Sequence, residues 1–133
     1  MSILVNVDNS NPLRPIWRRA EGAASKMEMK LLEVPNVQNP TVSWARRHGC
    51  KATKLQGPGN RSEPDYIFRI PGGKPFLIEF KRHGKEPTPL QSETIAGWIA
   101  DGYDVEVHDT KESAIAAITD RLARAHLRGK VHV

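Results

Sequence analysis

The chain has 133 residues, a single domain's worth, with 38% hydrophobic and 26% charged residues, apolar enough to bury a core and too apolar for a wholly disordered chain. Twenty Lys and Arg against fifteen Asp and Glu leave a formal charge of +5, which favours polyanions, nucleic acid first among them. One cysteine, Cys50, excludes an internal disulfide and a cysteine-rich zinc site; no run approaches the ~18 apolar residues of a membrane span, and Ile3-Leu4-Val5 is too short for a signal-peptide core, so an intracellular (cytoplasmic), non-secreted protein with no membrane partner is expected.

Residues 1–30 read as an irregular arm, broken by Asn9-Ser10-Asn11-Pro12 and Pro15, with Trp17, Arg18 and Arg19 as candidate docking or phosphate contacts. A patterned domain follows over 31–126, and 127–133 form a tail. Asn39-Pro40 resembles an N-cap with proline at the first helical position, and Gly49 suits the stop of a helix carrying Val42, Trp44 and Ala45. A start near Val34-Pro35 with a kink at Pro40 fits equally well. Cys50–Leu55 reads as a short strand and 56–62 as a loop. Tyr66–Ile70 and Phe76–Lys81 read as strands joined by Pro71-Gly72-Gly73-Lys74. Thr88-Pro89-Leu90-Gln91 signals a helix start with a capping box, Ile95, Trp98 and Ile99 form its apolar face, and Gly102 ends it. Tyr103–His108 is a further strand. Asp109, with Glu112 three residues on, caps a last helix lined by Ile115, Ile118 and Leu122. The fold class is therefore α/β: helix, three strands, helix, strand, helix, with a helical crossover that makes the sheet mixed.

Strand alternation places Phe76, Ile78 and Phe80 on one face and Leu77, Glu79 and Lys81 on the other. Asp65 sits at the matching end of the preceding hairpin arm, so antiparallel pairing brings it beside Glu79 and Lys81. Two carboxylates with the Phe80 carbonyl suit a hard cation such as Mg²⁺ or Mn²⁺, and an adjacent lysine can orient water or offset charge on a phosphate. Taken singly, an acid and a lysine on a strand are more often a solvated ion pair of little consequence. Together, at the end of a matched hairpin and followed by a capped helix, these residues form a coherent hydrolytic set.

The set resembles the PD-(D/E)xK nuclease superfamily, through Pro64-Asp65 and Glu79-Phe80-Lys81, and within it the VRR-NUC family. The resemblance draws in Trp44-Ala45-Arg46, Pro58-Gly59-Asn60-Arg61, Phe76 to Arg82 and Thr88 to Gln91, and runs from about Leu32 to Ile118. It implies a restriction-endonuclease-like core and metal-dependent cleavage of DNA. Asp65, Glu79 and the Phe80 carbonyl would hold Mg²⁺ or Mn²⁺, and Lys81 would act on the water. Gln91 would support the site, a role its capping-box reading neither needs nor excludes. Glu33 is the nearest candidate for the family's early-helix glutamate, though Pro35 and Pro40 interrupt a regular helix between it and Trp44. Glu63, before Pro64, departs from the family's small residues and adds a carboxylate. Stand-alone members suggest branched or structured duplex as substrate and a homodimer as the working form.

Lys54, Arg61, Arg82 and Lys85 flank the site as candidate contacts to the DNA backbone, with a solvated surface as the competing reading. His48, Cys50, His83 and His108 lack zinc-ligand spacing, and Trp44 and Trp98 read as core. Two rival functions stand beside the nuclease: a catalytically silent DNA-binding module, and a small accessory protein that binds another protein.

Overall fold

The computed structural model describes residues 2–5, 16–19 and 33–131, with side chains from 33 to 128. The expected breakers at 9–12 and 15, and the last two residues, lie outside the described residues. Within the arm, β1 (Ser2–Val5) and β2 (Ile16–Arg19) pair as an antiparallel ribbon where an irregular segment was expected; the side chains of Trp17, Arg18 and Arg19 are not described.

The main sheet has the order β3 (Lys51–Lys54), β4 (Tyr66–Arg69), β5 (Phe76–Phe80), β6 (Asp104–His108). β3, β4 and β5 form an antiparallel meander, and β6 lies parallel to β5. The parallel step is made by α2 (Pro89–Ala100), as a crossover connection requires. Between β4 and β5 the chain reverses where Gly73 N–H donates to Ile70 O at 2.9 Å, with Pro71 second and Gly72 third at φ +72°, a turn that needs glycine at its third position.

The helices cover both faces. On one, α1 (Asn39–Arg47) and α3 (Lys111–Val131) bury Val37, Val42, Ala45, Phe68, Phe76, Ile78, Phe80 and Ile118. On the other, α2 packs Ile95, with Trp98 and Ile99 half-buried, over Leu77, Val105 and Val107. This mixed sheet between helices is a restriction-endonuclease-like α/β core. Every residue of β5 is buried, so the alternation read from the sequence sorts two apolar faces, and Glu79 is an acid on a strand with no solvent-facing side.

Three local expectations are corrected. Asn39 is not an N-cap: a π-helical turn over Glu33–Gln38 runs directly into α1, Gln38 is already helical, and no side chain caps the start. The widened turn relieves the clash a proline ring makes with the carbonyl four residues back, and Thr41 Oγ1, in α1, donates back to Val37 O of that turn at 2.7 Å. The helical path thus passes through both Pro35 and Pro40 and carries Glu33 at its head. Asp109 does not cap α3 either. Ser113 N–H donates to Thr110 Oγ1 at 3.3 Å, while Asp109 Oδ2 turns back to accept from Gly84 N–H at 3.2 Å and lies 3.1 Å from His83 Nδ1. Finally, α3 continues to Val131, through most of the expected tail.

β6 and α3 meet through polar groups. Buried His108 bonds Ser113 Oγ at 2.7 Å and Glu106 Oε1 at 2.8 Å. Arg121 binds the other Glu106 oxygen and lies 3.7 Å over the Phe76 ring. Burial alone would raise the Glu106 carboxyl, but the His108 bond and the Arg121 charge outweigh it and hold Glu106 below its ordinary value of 4.5. A depressed carboxylate contributes stability above the ordinary range and loses it as pH falls through the folded value. Replacing Arg121 by Met, which strands a largely buried carboxylate, is expected to cost about 3 kcal/mol near pH 7. In urea titrations from about pH 7 to 3, the deficit should shrink below about 4.5, as Glu106 takes up a proton; a deficit constant with pH would mean that lost packing on Phe76, not charge, carries the effect.

Candidate active site

The site forms where β4 begins and β5 ends. The register Tyr66↔Ile78 sets Asp65 opposite Glu79, and Phe80 N–H donates to Asp65 Oδ2 at 2.7 Å. Asp65 is 5% exposed and Glu79 1%. Lys81 Nζ lies 3.3 Å from Glu79 Oε2 and donates to Gln91 Oε1 at 2.8 Å. The same Gln91 oxygen accepts from Thr88 N–H at 2.9 Å, and Gln91 N–H donates to Thr88 Oγ1 at 3.2 Å. With one oxygen Gln91 thus completes the capping box and accepts from the lysine.

Burial governs the electrostatics. Glu79 is pushed up to about 9, first by burial, then by the Asp65 charge and the proton the two acids share, with Lys81 only partly opposing. Asp65 is also raised by burial, although bonds from Glu79 and the Phe80 amide and the charges of Lys81 and Lys54 pull the other way. Near neutral pH Glu79 consequently keeps its proton beside Asp65. Glu79 Oε1 is buried and receives no hydrogen bond. A buried carboxylate oxygen left so is costly, and a proton or a cation at that point removes the cost.

Glu33 joins the group. From the π-helical turn it is half-buried, and its carboxyl is raised by burial, then by Asp65, with Lys81 opposing, so it stands within electrostatic reach of both. Even so, among the described residues no three His, Cys, Asp or Glu side chains converge as a ready ligand set. Two carboxylates with an orphaned oxygen fit Mg²⁺ or Mn²⁺, which commonly take one or two protein carboxylates and fill their shell with water and substrate oxygens.

Lys54, Arg61, Arg82 and Lys85 are all exposed. Lys54 lies near enough to act on Asp65. Arg61 belongs to a loop that folds on itself, with Asn60 N–H donating to Gly57 O at 2.9 Å and Gln56 Nε2 to Arg61 O at 3.4 Å. Arg82 and Lys85 close one turn, in which Lys85 N–H donates to Arg82 O at 2.9 Å.

Two contacts have no signature in the local sequence. Trp98 Nε1 donates to Glu63 Oε2 at 2.7 Å, which ties the residue before Pro64 to α2 and gives Glu63 a partner of its own. The buried Asp109 carboxylate, which accepts from Gly84 N–H and lies 3.1 Å from His83 Nδ1, anchors the turn that carries Arg82 and Lys85. Complementary polar residues far apart in the chain were the available signal, and it needs the fold to be read. His48, by contrast, stacks on Trp44 at 3.8 Å on the surface of α1.

A raised acid favours the folded state below its unfolded value and loses that advantage as pH rises through the folded one. For the metal-free protein, Glu79→Gln is expected to melt higher than wild type above about pH 7, the gap widening towards 9. Magnesium should raise the wild-type midpoint and leave the variant's unchanged. Identical wild-type and variant melting across this range would show that the acid pair is not strained.

No family model matches the chain. Over 84 residues it is 34% identical to the protein named "Putative nuclease p44" of Acyrthosiphon pisum secondary endosymbiont phage 1, an alignment spanning 63% of this chain and 90% of that protein. With nearly all of the phage protein matched at this identity, the chain belongs to the family of that phage protein, and it carries the PD-(D/E)xK-like pattern at Asp65, Glu79 and Lys81 on its restriction-endonuclease-like core.

Proposed function

We propose that the protein is a Mg²⁺- or Mn²⁺-dependent DNA endonuclease of the VRR-NUC type, acting on branched or structured duplex as a homodimer. The observation that carries this reading is the buried Asp65–Glu79 pair, short of one partner at Glu79 Oε1 and flanked by Lys81 and Gln91. The name of the phage relative supports the nuclease class. The positive formal charge suits a polyanionic substrate. Branched DNA and dimerisation follow from the VRR-NUC resemblance and from the small surface that one domain offers for bridging strands.

In this mechanism Asp65, Glu79 and the Phe80 carbonyl would hold the cation, whose chemistry when bound would be positive charge at the scissile phosphate and acidification of the attacking water. Lys81, kept in place by Gln91, orients that water and offsets the negative charge that builds on the phosphate as the bond to the leaving oxygen breaks. Glu33 adds a carboxylate on the α1 side of the site, able to hold water near Lys81. Lys54, Arg61, Arg82 and Lys85 grip the backbone and set its position without reading bases.

Supercoiled plasmid and four-way-junction DNA, incubated with Mg²⁺, Mn²⁺ or EDTA, test the reading: nicking with either metal and none in EDTA is expected. Glu79→Gln and Lys81→Ala should each lower the rate at least about 100-fold while the circular dichroism spectrum is kept. Undiminished cutting by either variant places the chemistry elsewhere, and a wild type that binds DNA but cuts none is a binding module. Glu33→Gln should raise the magnesium concentration needed for half-maximal rate; an unchanged metal titration and rate demote Glu33 to a flank.

A further inference from the structure

The face of β3 and β4 opposite α1 and α3 carries charges that no described residue answers. In the register of these strands Lys51 lies directly across from Arg69. Their neighbours Ala52 and Phe68 point into the core under α1 and α3, so alternation turns Lys51 and Arg69 to the opposite face, the one that carries Asp65 and Glu79. Both are exposed. α2 packs this face over Leu77, Val105 and Val107, and β3 is the end strand of the four-stranded sheet.

Like charges directly opposite on a sheet repel and destabilise it. Other basic side chains that rise from the core have answers within the chain: Lys74 reaches Gly102 O and Asp104, and Arg121 binds Glu106. Lys51 and Arg69 meet no carboxylate among the described residues. Lysine on an open edge strand can serve merely to keep other strands from pairing with it, but Arg69 is on β4, which lies between β3 and β5, and its register partner is Lys51.

We infer that Lys51 and Arg69 form a second contact for the backbone of duplex DNA, on the same sheet face as the active site and about four residues along β4 from Asp65. At about 3.4 Å per residue the separation is roughly 14 Å, or about four base-pair rises. The contact rests on the nuclease reading and extends it: productive substrate is duplex that continues at least that far from the cut. The Thr53 side chain, between the two positions on the same face, adds a hydroxyl that can donate to phosphate.

The test is a salt titration of binding to a long duplex in EDTA, where no cutting occurs. Lys51→Gln with Arg69→Gln is expected to weaken binding about tenfold near physiological salt and to reduce the slope of log K against log salt by about 1.8, since each phosphate contact contributes about 0.9. Its melting point should equal or exceed wild type, because a repulsion has been removed. Lys51→Arg with Arg69→Lys keeps both charges and should keep the slope; loss there as well overturns the inference, as does an unchanged slope in the neutralised variant. Wild type that binds no duplex overturns it together with the nuclease reading. Cutting assays judge the acid pair and this titration judges the basic pair, so the two failures are told apart.

Discussion

The arrangement depends on placing two carboxyl groups side by side inside a sheet. Each loses hydration, each raises the cost of ionising its neighbour, and Glu79 keeps an oxygen without a donor. Packing that placed a leucine at 79 would be easier on stability. The cost is concentrated at one point: Glu79 keeps its proton well above the usual carboxylate range and has one oxygen without a donor, and in the proposed mechanism a cation there would take the proton's place.

The surroundings keep this pair from collapsing into a neutral, inert contact. The Phe80 amide fixes one Asp65 oxygen, Lys81 reaches Glu79 from the end of the same strand, and Gln91 holds Lys81 from a helix whose first turn is locked by its own capping box. Below them, the His108–Glu106–Arg121 chain joins β6 to α3, and Asp109 holds the turn after Lys81 through Gly84 N–H. The sheet is therefore anchored on both sides of the two acids, and the candidate catalytic groups sit at strand ends.

Much of this was legible in the residues because strand alternation is a strictly local rule. Phe76 to Lys81 reports its two faces directly, and the matched arms of the hairpin bring Asp65 to Glu79 without knowledge of the rest of the chain. Thr88 to Gln91 is equally local. Glu33 was harder to place, since two prolines forbid an ordinary helix and the π-helical turn that admits them has no composition signature. The cap of α3 went to Thr110 because Asp109 had a stronger claim elsewhere, at Gly84 and His83, twenty-five residues back. Glu63 with Trp98 follows the same logic: competition between distant partners is settled by the fold.

One shared atom links the start of α2 to the chemistry. Gln91 Oε1 serves the helix and the lysine together, and a glutamate there would satisfy the capping box just as well. It would also set a further negative group against the ammonium, drawing its charge away from the acids it now faces. Helix-forming preference treats amide and acid at this position as interchangeable; the neighbouring lysine does not, so in the proposed mechanism it is the neutrality of the side chain at 91 that counts.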